Sequence, residues 1–260
     1  MKLHSVKIKN FRGYNEETVI PLSDNITGIV GRNDAGKSSV LEALDIFFEG
    51  GEIKIDKEDI CKFSTSENIE ITCEFENLPD EIVIDENVST SLEREFLLSG
   101  DGRLVIKKRY KKAASKPEII IQAKHPTAES YNDLLSLKIA DLRSRGGEVG
   151  CTEPHDQRIA SQWRKAIWDH AENLQLEEIE VDTSKFGKEA KALGDCLLNL
   201  LPSFALFRSD RESKDDDPMA KNPLKAAVGQ AVAELKDEIQ EIHDAGEKKV
   251  IERTKLTLEK

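Results

Sequence analysis

The sequence predicts an α/β fold with a strand-rich region over 1–124, a helical region over 125–223 and the start of a long helical arm over 224–260. Three observations carry that reading. A glycine-bounded loop at 31–38 stands between an apolar β-branched segment and a helical repeat. Residues 68–75 alternate apolar and polar side chains, the period of a strand. Beyond 125 the apolar positions recur every three or four residues, the period of a helix.

The elements follow in order. Leu3, Val6 and Ile8 mark a first strand and Thr18, Val19 and Ile20 a second, joined through Asn10, Phe11, Arg12, Gly13 and Tyr14. Ile26, Ile29 and Val30 read as a buried strand leading into the loop. Val40, Leu41, Leu44, Phe47 and Phe48 then mark a helix that Gly50 and Gly51 stop. Ile69, Ile71, Cys73 and Phe75 form the alternating strand, and two more strands, at 104–106 and 119–121, flank a basic run. Tyr131, Leu134, Leu135, Leu137, Ile139 and Leu142 suggest a helix ended by Gly146 and Gly147. Ile159, Trp163, Ile167 and Ala171 share one helical face, and Leu193, Leu197, Leu198 and Leu201 another, which Pro202 ends. Residues 203–207 read as a return strand and 208–218 as a charged loop. From Leu224 through Val228, Val232, Leu235, Ile239 and Ile242 runs a coiled-coil-like seam. Helical composition continues to Lys260, as expected of a cut within a longer arm.

The loop at 31–38 reads Gly-Arg-Asn-Asp-Ala-Gly-Lys-Ser, which is the G-x-x-x-x-G-K-[ST] pattern. Gly31 and Gly36 allow a tight turn that aims backbone N–H groups inward. Lys37 supplies a point charge for β- and γ-phosphates, and the Ser38 hydroxyl is a hard oxygen ligand for Mg²⁺. A following helix sets its positive dipole end on the phosphates. The expected ligand is therefore a nucleoside triphosphate with Mg²⁺ (ATP, as the resemblance described below implies), held by Gly31, Arg32, Asn33, Asp34, Ala35, Gly36, Lys37, Ser38 and Ser39, with Lys37 as the catalytic group. Asp34 stands where glycine is commoner, which places the local loop conformation in question.

Composition bounds the rest. With 38% apolar and 34% charged residues and a net charge of −12, the chain carries much charged surface and no uniformly basic coat. No run approaches the ~20 apolar residues of a membrane span, and the N-terminus lacks the apolar core of a signal peptide. Cys61, Cys73, Cys151 and Cys196 are scattered, as suits a reducing cytoplasm, and the five histidines lack metal-ligand spacing. The segment 103–116 holds seven basic residues and no acids. Lys107, Lys108, Arg109, Lys111 and Lys112 read either as a DNA-contacting patch or as a solvated edge hairpin whose lysines discourage edge pairing.

The order of Asn10-Phe11-Arg12, a short β segment, then Gly-Arg-Asn-Asp-Ala-Gly-Lys-Ser-Ser and Val-Leu-Glu-Ala-Leu resembles the SMC and RecF class of ATPase heads. That class belongs to the ATP-binding-cassette superfamily. The resemblance implies a P-loop NTPase of cassette-head type with a mixed β-sheet. It also implies a basic residue near the nucleotide at Arg12, which otherwise reads as a surface arginine at a strand end. Residues 51–260, with Leu-Pro-Ser-Phe-Ala-Leu-Phe before a polar loop and a helix, look most like the OLD family of ATPase–nucleases. That likeness implies a homodimer or higher homo-oligomer, a Toprim nuclease or partner nuclease or helicase, and a role in DNA repair or antiphage defence.

Two expected elements are missing. No L-S-G-G-type signature occurs; residues 98–102 only echo it. The Walker B pattern, with Asp on Mg²⁺ and Glu activating water, is approached only at Ile82, Val83, Ile84, Asp85 and Glu86. Those residues read either as the Walker B of a self-sufficient AAA or RecA-like ATPase or as a polar turn. A third reading is a non-catalytic module that associates through the helical segment from Leu224.

Overall fold

A computed structural model describes residues 1–206 apart from 52, 86 and 87. Its centre is a six-stranded sheet in the order β2-β1-β3-β6-β7-β8. The strands are β1 (Lys2–Lys9), β2 (Thr18–Pro21), β3 (Asn68–Glu76), β6 (Leu104–Lys111), β7 (Glu118–Pro126) and β8 (Leu176–Asp182), and every neighbouring pair is antiparallel. A separate hairpin pairs β4 (Ile82–Asp85) with β5 (Val88–Thr90). Four α-helices complete the described part: α1 (Lys37–Phe48), α2 (Ile139–Val149), α3 (Ala160–His170) and α4 (Lys188–Asn199).

Register separates the sheet into two chemically distinct faces. Ile20, Val6, Cys73, Ile106, Ile121 and Val181 lie in one row across all six strands. The helix α1 covers this apolar face: Phe47 meets the Phe75 ring at 6.2 Å between centroids, and the Tyr110 hydroxyl donates to the Ile46 carbonyl at 3.3 Å. The strand alternation therefore has a direct cause, since period 2 sends each apolar residue to the helix side. The opposite face is a charge ladder. Lys7 pairs with Glu74 at 2.7 Å, Arg109 with Glu70 at 2.7 Å and with Glu180 at 2.8 Å, and Lys107 with Glu180 at 2.6 Å.

Helices α2, α3 and α4 pack around Trp163, Trp168, Leu193 and Leu197. Both indoles satisfy their N–H, Trp163 to the Gln157 carbonyl at 3.1 Å and Trp168 to the Tyr131 carbonyl at 3.0 Å.

Several expectations are corrected. Residues 26–30 pair with no strand, and Ile26 and Val30 are 87% and 96% exposed rather than buried. Gly146 and Gly147 lie inside α2 instead of ending it. A Cβ at Gly146 would stand 2.7 Å from the Trp163 ring, so this glycine permits close helix packing. Residues 203–206 form no strand; Phe204 stacks on Phe48 at 5.5 Å. The strands β4, β5 and β8 have no counterpart in the periodicity. The charged loop at 208–218 and the seam from Leu224 to Ile242 lie outside the described residues.

Candidate phosphate-binding site

The loop 31–36 delivers the chain into α1. Gly36 is the N-cap residue, left-handed at φ 83°, and its carbonyl accepts the first helical bond from the Val40 N–H at 3.3 Å. The N–H groups of Lys37, Ser38 and Ser39 therefore precede the helical ladder. No side chain caps this helix end and no acidic residue stands in its first turn. Such an end is built for an anion, and its positive dipole adds to the Lys37 charge. Lys37 Nζ donates to the carbonyls of Gly31 at 2.9 Å and Arg32 at 2.6 Å, which straps the ammonium across the loop. The donor set fits a triphosphate: successive N–H groups, one lysine, and the exposed hydroxyl of Ser38 for a hard cation.

Of the two glycines expected to make the turn, Gly36 is left-handed and Gly31 is not. A Cβ at Gly31 would meet Ala35 at 3.4 Å, an ordinary contact. The left-handed positions are Asp34, at φ 62°, and Gly36. Aspartate tolerates that conformation better than most side chains, so Asp34 supplies what glycine supplies elsewhere. Asp34→Gly is expected to leave stability within about 1 kcal/mol, whereas Asp34→Val costs about 1–2 kcal/mol more, because a β-branched residue is strained there. Urea unfolding of the two variants checks this; equal stabilities would show that the left-handed turn does not constrain the residue.

Behind the loop lies a second layer that the motif does not announce. The bend 10–14 closes by paired bonds, Phe11 N–H to the Tyr14 carbonyl at 2.9 Å and Tyr14 N–H to the Phe11 carbonyl at 2.8 Å. Asn10 fixes this bend from beneath, donating to the carbonyls of Ser66 at 2.6 Å and Asn68 at 2.9 Å and accepting from the Cys61 N–H at 3.2 Å. From the bend, two side chains reach the nucleotide-loop helix. The Tyr14 hydroxyl donates to the Gly36 carbonyl at 3.2 Å. Arg12 forms ion pairs with Glu42 of α1 and, at 2.7 Å, with Asp59 of the short 3₁₀ helix Lys57–Asp59. Arg12 is thus a strut between three segments rather than a free arginine at a strand end. The motif contains Asn10 and Glu42 without announcing these contacts, and nothing in the local sequence marks Tyr14 or Asp59 for the site beyond a tyrosine directly after a glycine turn.

Other candidates separate from the loop. β6 is an inner strand, so the basic run is no edge hairpin. Lys107 and Lys108 are buried. Lys108 lies over the Phe47 ring at 5.3 Å and pairs with Glu49 at 2.6 Å, while Lys111 and Lys112 pair with Glu118 and Glu67. Lys107 and Lys108 are thus buried and paired, whereas Lys111 and Lys112 are paired but exposed. Among the described residues, Asp85 ends β4, which pairs with β5 apart from the six-stranded sheet; Glu86 lies outside the described residues. Residues 98–102 form the turn into β6, with the Gly102 N–H bonded to the Ser99 carbonyl at 2.8 Å. No cluster of metal-ligating side chains occurs, and no helix is long and apolar enough to cross a membrane, among the described residues.

The chain is similar to known proteins over parts of its length. Over 44 residues the chain is 41% identical to the chromosome partition protein Smc of Methylococcus capsulatus and 46% identical to that of Halobacteriovorax marinus. Each match covers 17% of this chain and only 4% of the relative. Among solved structures, the SMC head domain from Thermotoga maritima aligns at 12% identity and TM-score 0.32 over 78% of this chain and 75% of that one. The Smc head with coiled coil and joint from Pyrococcus yayanosii aligns at 17% identity and TM-score 0.32, over 60% of this chain and 31% of that one. The family of the AAA ATPase domain (AAA_15) matches residues 1–260 from end to end, and the chain belongs to that family.

Proposed function

We propose that this chain binds ATP with Mg²⁺ at 31–39 and serves as the ATPase head of a larger DNA-associated machine. The observation that carries the reading is the uncapped, acid-free N-terminus of α1 with Lys37 strapped across the loop that feeds it. Gly31, Arg32, Asn33, Asp34, Ala35 and Gly36 supply the cradle, and the N–H groups of Lys37, Ser38 and Ser39 point donors at phosphate. Lys37 neutralises β- and γ-phosphate charge. The Ser38 hydroxyl would hold Mg²⁺, which would add charge neutralisation to phosphoryl transfer, a reaction that depends on positioning and electrostatics.

Action on DNA is supported by the 44-residue similarity to chromosome partition proteins. The resemblance to SMC, RecF and OLD ATPases supports an ATP-dependent homodimer coupled to a nuclease or clamp. In that arrangement a second copy completes the site, and the isolated chain turns ATP over slowly.

Calorimetric titration of MgATP into the chain and its Lys37→Ala variant tests the site. A charged hydrogen bond contributes about 1.5–3 kcal/mol, so the variant should bind at least about tenfold more weakly. Equal affinities would remove the phosphate-site assignment.

A further inference from the structure

We infer that Tyr14 is a positioning residue of the phosphate-binding loop, orienting the peptide between Gly36 and Lys37 so that its N–H is aimed at bound phosphate. The inference rests on the phosphate-site reading above. It is carried by geometry on one carbonyl. The Gly36 carbonyl accepts two hydrogen bonds, from the Val40 N–H at 3.3 Å and from the Tyr14 hydroxyl at 3.2 Å. Both lone pairs of that oxygen are then occupied. In a planar trans peptide the N–H points opposite to the C=O. Fixing the Gly36 oxygen from outside the loop therefore fixes the Lys37 N–H toward the inside. A donor on the carbonyl also polarises the peptide and strengthens its N–H as a donor.

Two further contacts make the role specific to Tyr14. The ring lies against Gly36, where an added Cβ would stand 3.1 Å from both the Tyr14 Cε2 and its hydroxyl oxygen. Gly36 is thus favoured by its left-handed backbone, and a side chain there would also press on the tyrosine that leans on it. The tyrosine in turn cannot drift. Its backbone is closed onto Phe11, which is fully buried, and the Arg12 N–H donates to the Asp59 carbonyl at 2.6 Å. Burial raises the Tyr14 pKa above the usual phenol value, so the hydroxyl keeps its proton as a donor at neutral and mildly alkaline pH.

The test compares wild type, Tyr14→Phe, Tyr14→Ala and Lys37→Ala. Each is titrated with MgATP and with magnesium tripolyphosphate, and the Lys37 amide is followed by ¹⁵N NMR. Tyr14→Phe keeps the ring and removes one hydrogen bond. It should melt within about 2 °C of wild type, bind both ligands roughly 3–10-fold more weakly, and shift the Lys37 amide resonance. Tyr14→Ala should lose more affinity, and some stability with it. If Tyr14→Phe binds like wild type while Lys37→Ala does not, the phosphate site stands and the role given to Tyr14 is overturned. An unmoved Lys37 amide in Tyr14→Phe overturns it equally. Wild type that binds neither ligand removes the phosphate-site reading itself, and this inference with it.

Discussion

Replacing Glu95 by glutamine is expected to destabilise the fold by about 3–5 kcal/mol, the usual cost of stranding one member of a buried ion pair. The strand-and-hairpin part and the helical part meet at Arg164 of α3, which is only 1% exposed. Glu95 grips its guanidinium through two bonds, at 2.7 and 2.8 Å, and holds the Thr90 hydroxyl at 2.8 Å. Glu189 of α4 adds a third contact at 3.3 Å while accepting the Ala160 and Ser161 N–H groups at the start of α3. Burial works to strip the guanidinium of its proton. The hydrogen bonds and charges of Glu95 and Glu189 outweigh it and raise the Arg164 pKa. Glutamine keeps the shape of Glu95 and removes the charge, so the arginine would stay buried with a weaker counterion. Urea unfolding measures the loss. The double variant Glu95→Gln with Arg164→Met should recover much of it, since the stranded cation is then gone. A single-variant cost below about 1 kcal/mol would show that apolar packing, not this network, joins the two parts.

Asn10→Ala should cost about 2–4 kcal/mol, because it leaves a buried N–H and two carbonyls without the partner that Asn10 provides. Its amide ties the end of β1 to residues 61, 66 and 68 and so sets the bend that carries Arg12 and Tyr14 to α1. The consequence reaches the proposed site. Hydrogen exchange should quicken at the Cys61 amide, and MgATP affinity should fall along with stability. Faster exchange with unchanged affinity would separate the bend from the loop.

These two residues illustrate why parts of the protein were legible and others were not. Asn10 was visible as a motif letter, but its chemical job depends on chain 51–58 residues away. Glu95 and Arg164 are 69 residues apart, and nothing in either local pattern marks them as partners. The basic run shows the same effect. Lys107, Lys108 and Arg109 stand next to no acid in sequence, yet find Glu180, Glu49 and Glu70 at separations of 73, 59 and 39 residues. A charge run reads as surface only until its strand is known to be an inner one. Strands β4, β5 and β8 were missed because two are four residues or fewer and the third is dominated by acidic side chains, so period 2 had little to act on. The strand expected at 26–30 rests on β-branched residues alone, and propensity does not supply a pairing partner.

By itself the sequence determined the phosphate-loop motif, the helix α1 behind it and the strands β1, β3, β6 and β7. Each is written in local terms: fixed glycine spacing, a 3.6-residue repeat, a two-residue alternation. Only the tertiary structure decided that Asp34 and not Gly31 makes the left-handed turn, that Tyr14 bears on Gly36, that Arg12 is a strut, and that the basic strand is neutralised inside the sheet. Those outcomes depend on which distant groups arrive at the same place, and electrostatics and hydrogen bonding act on distance in space, not on distance along the chain.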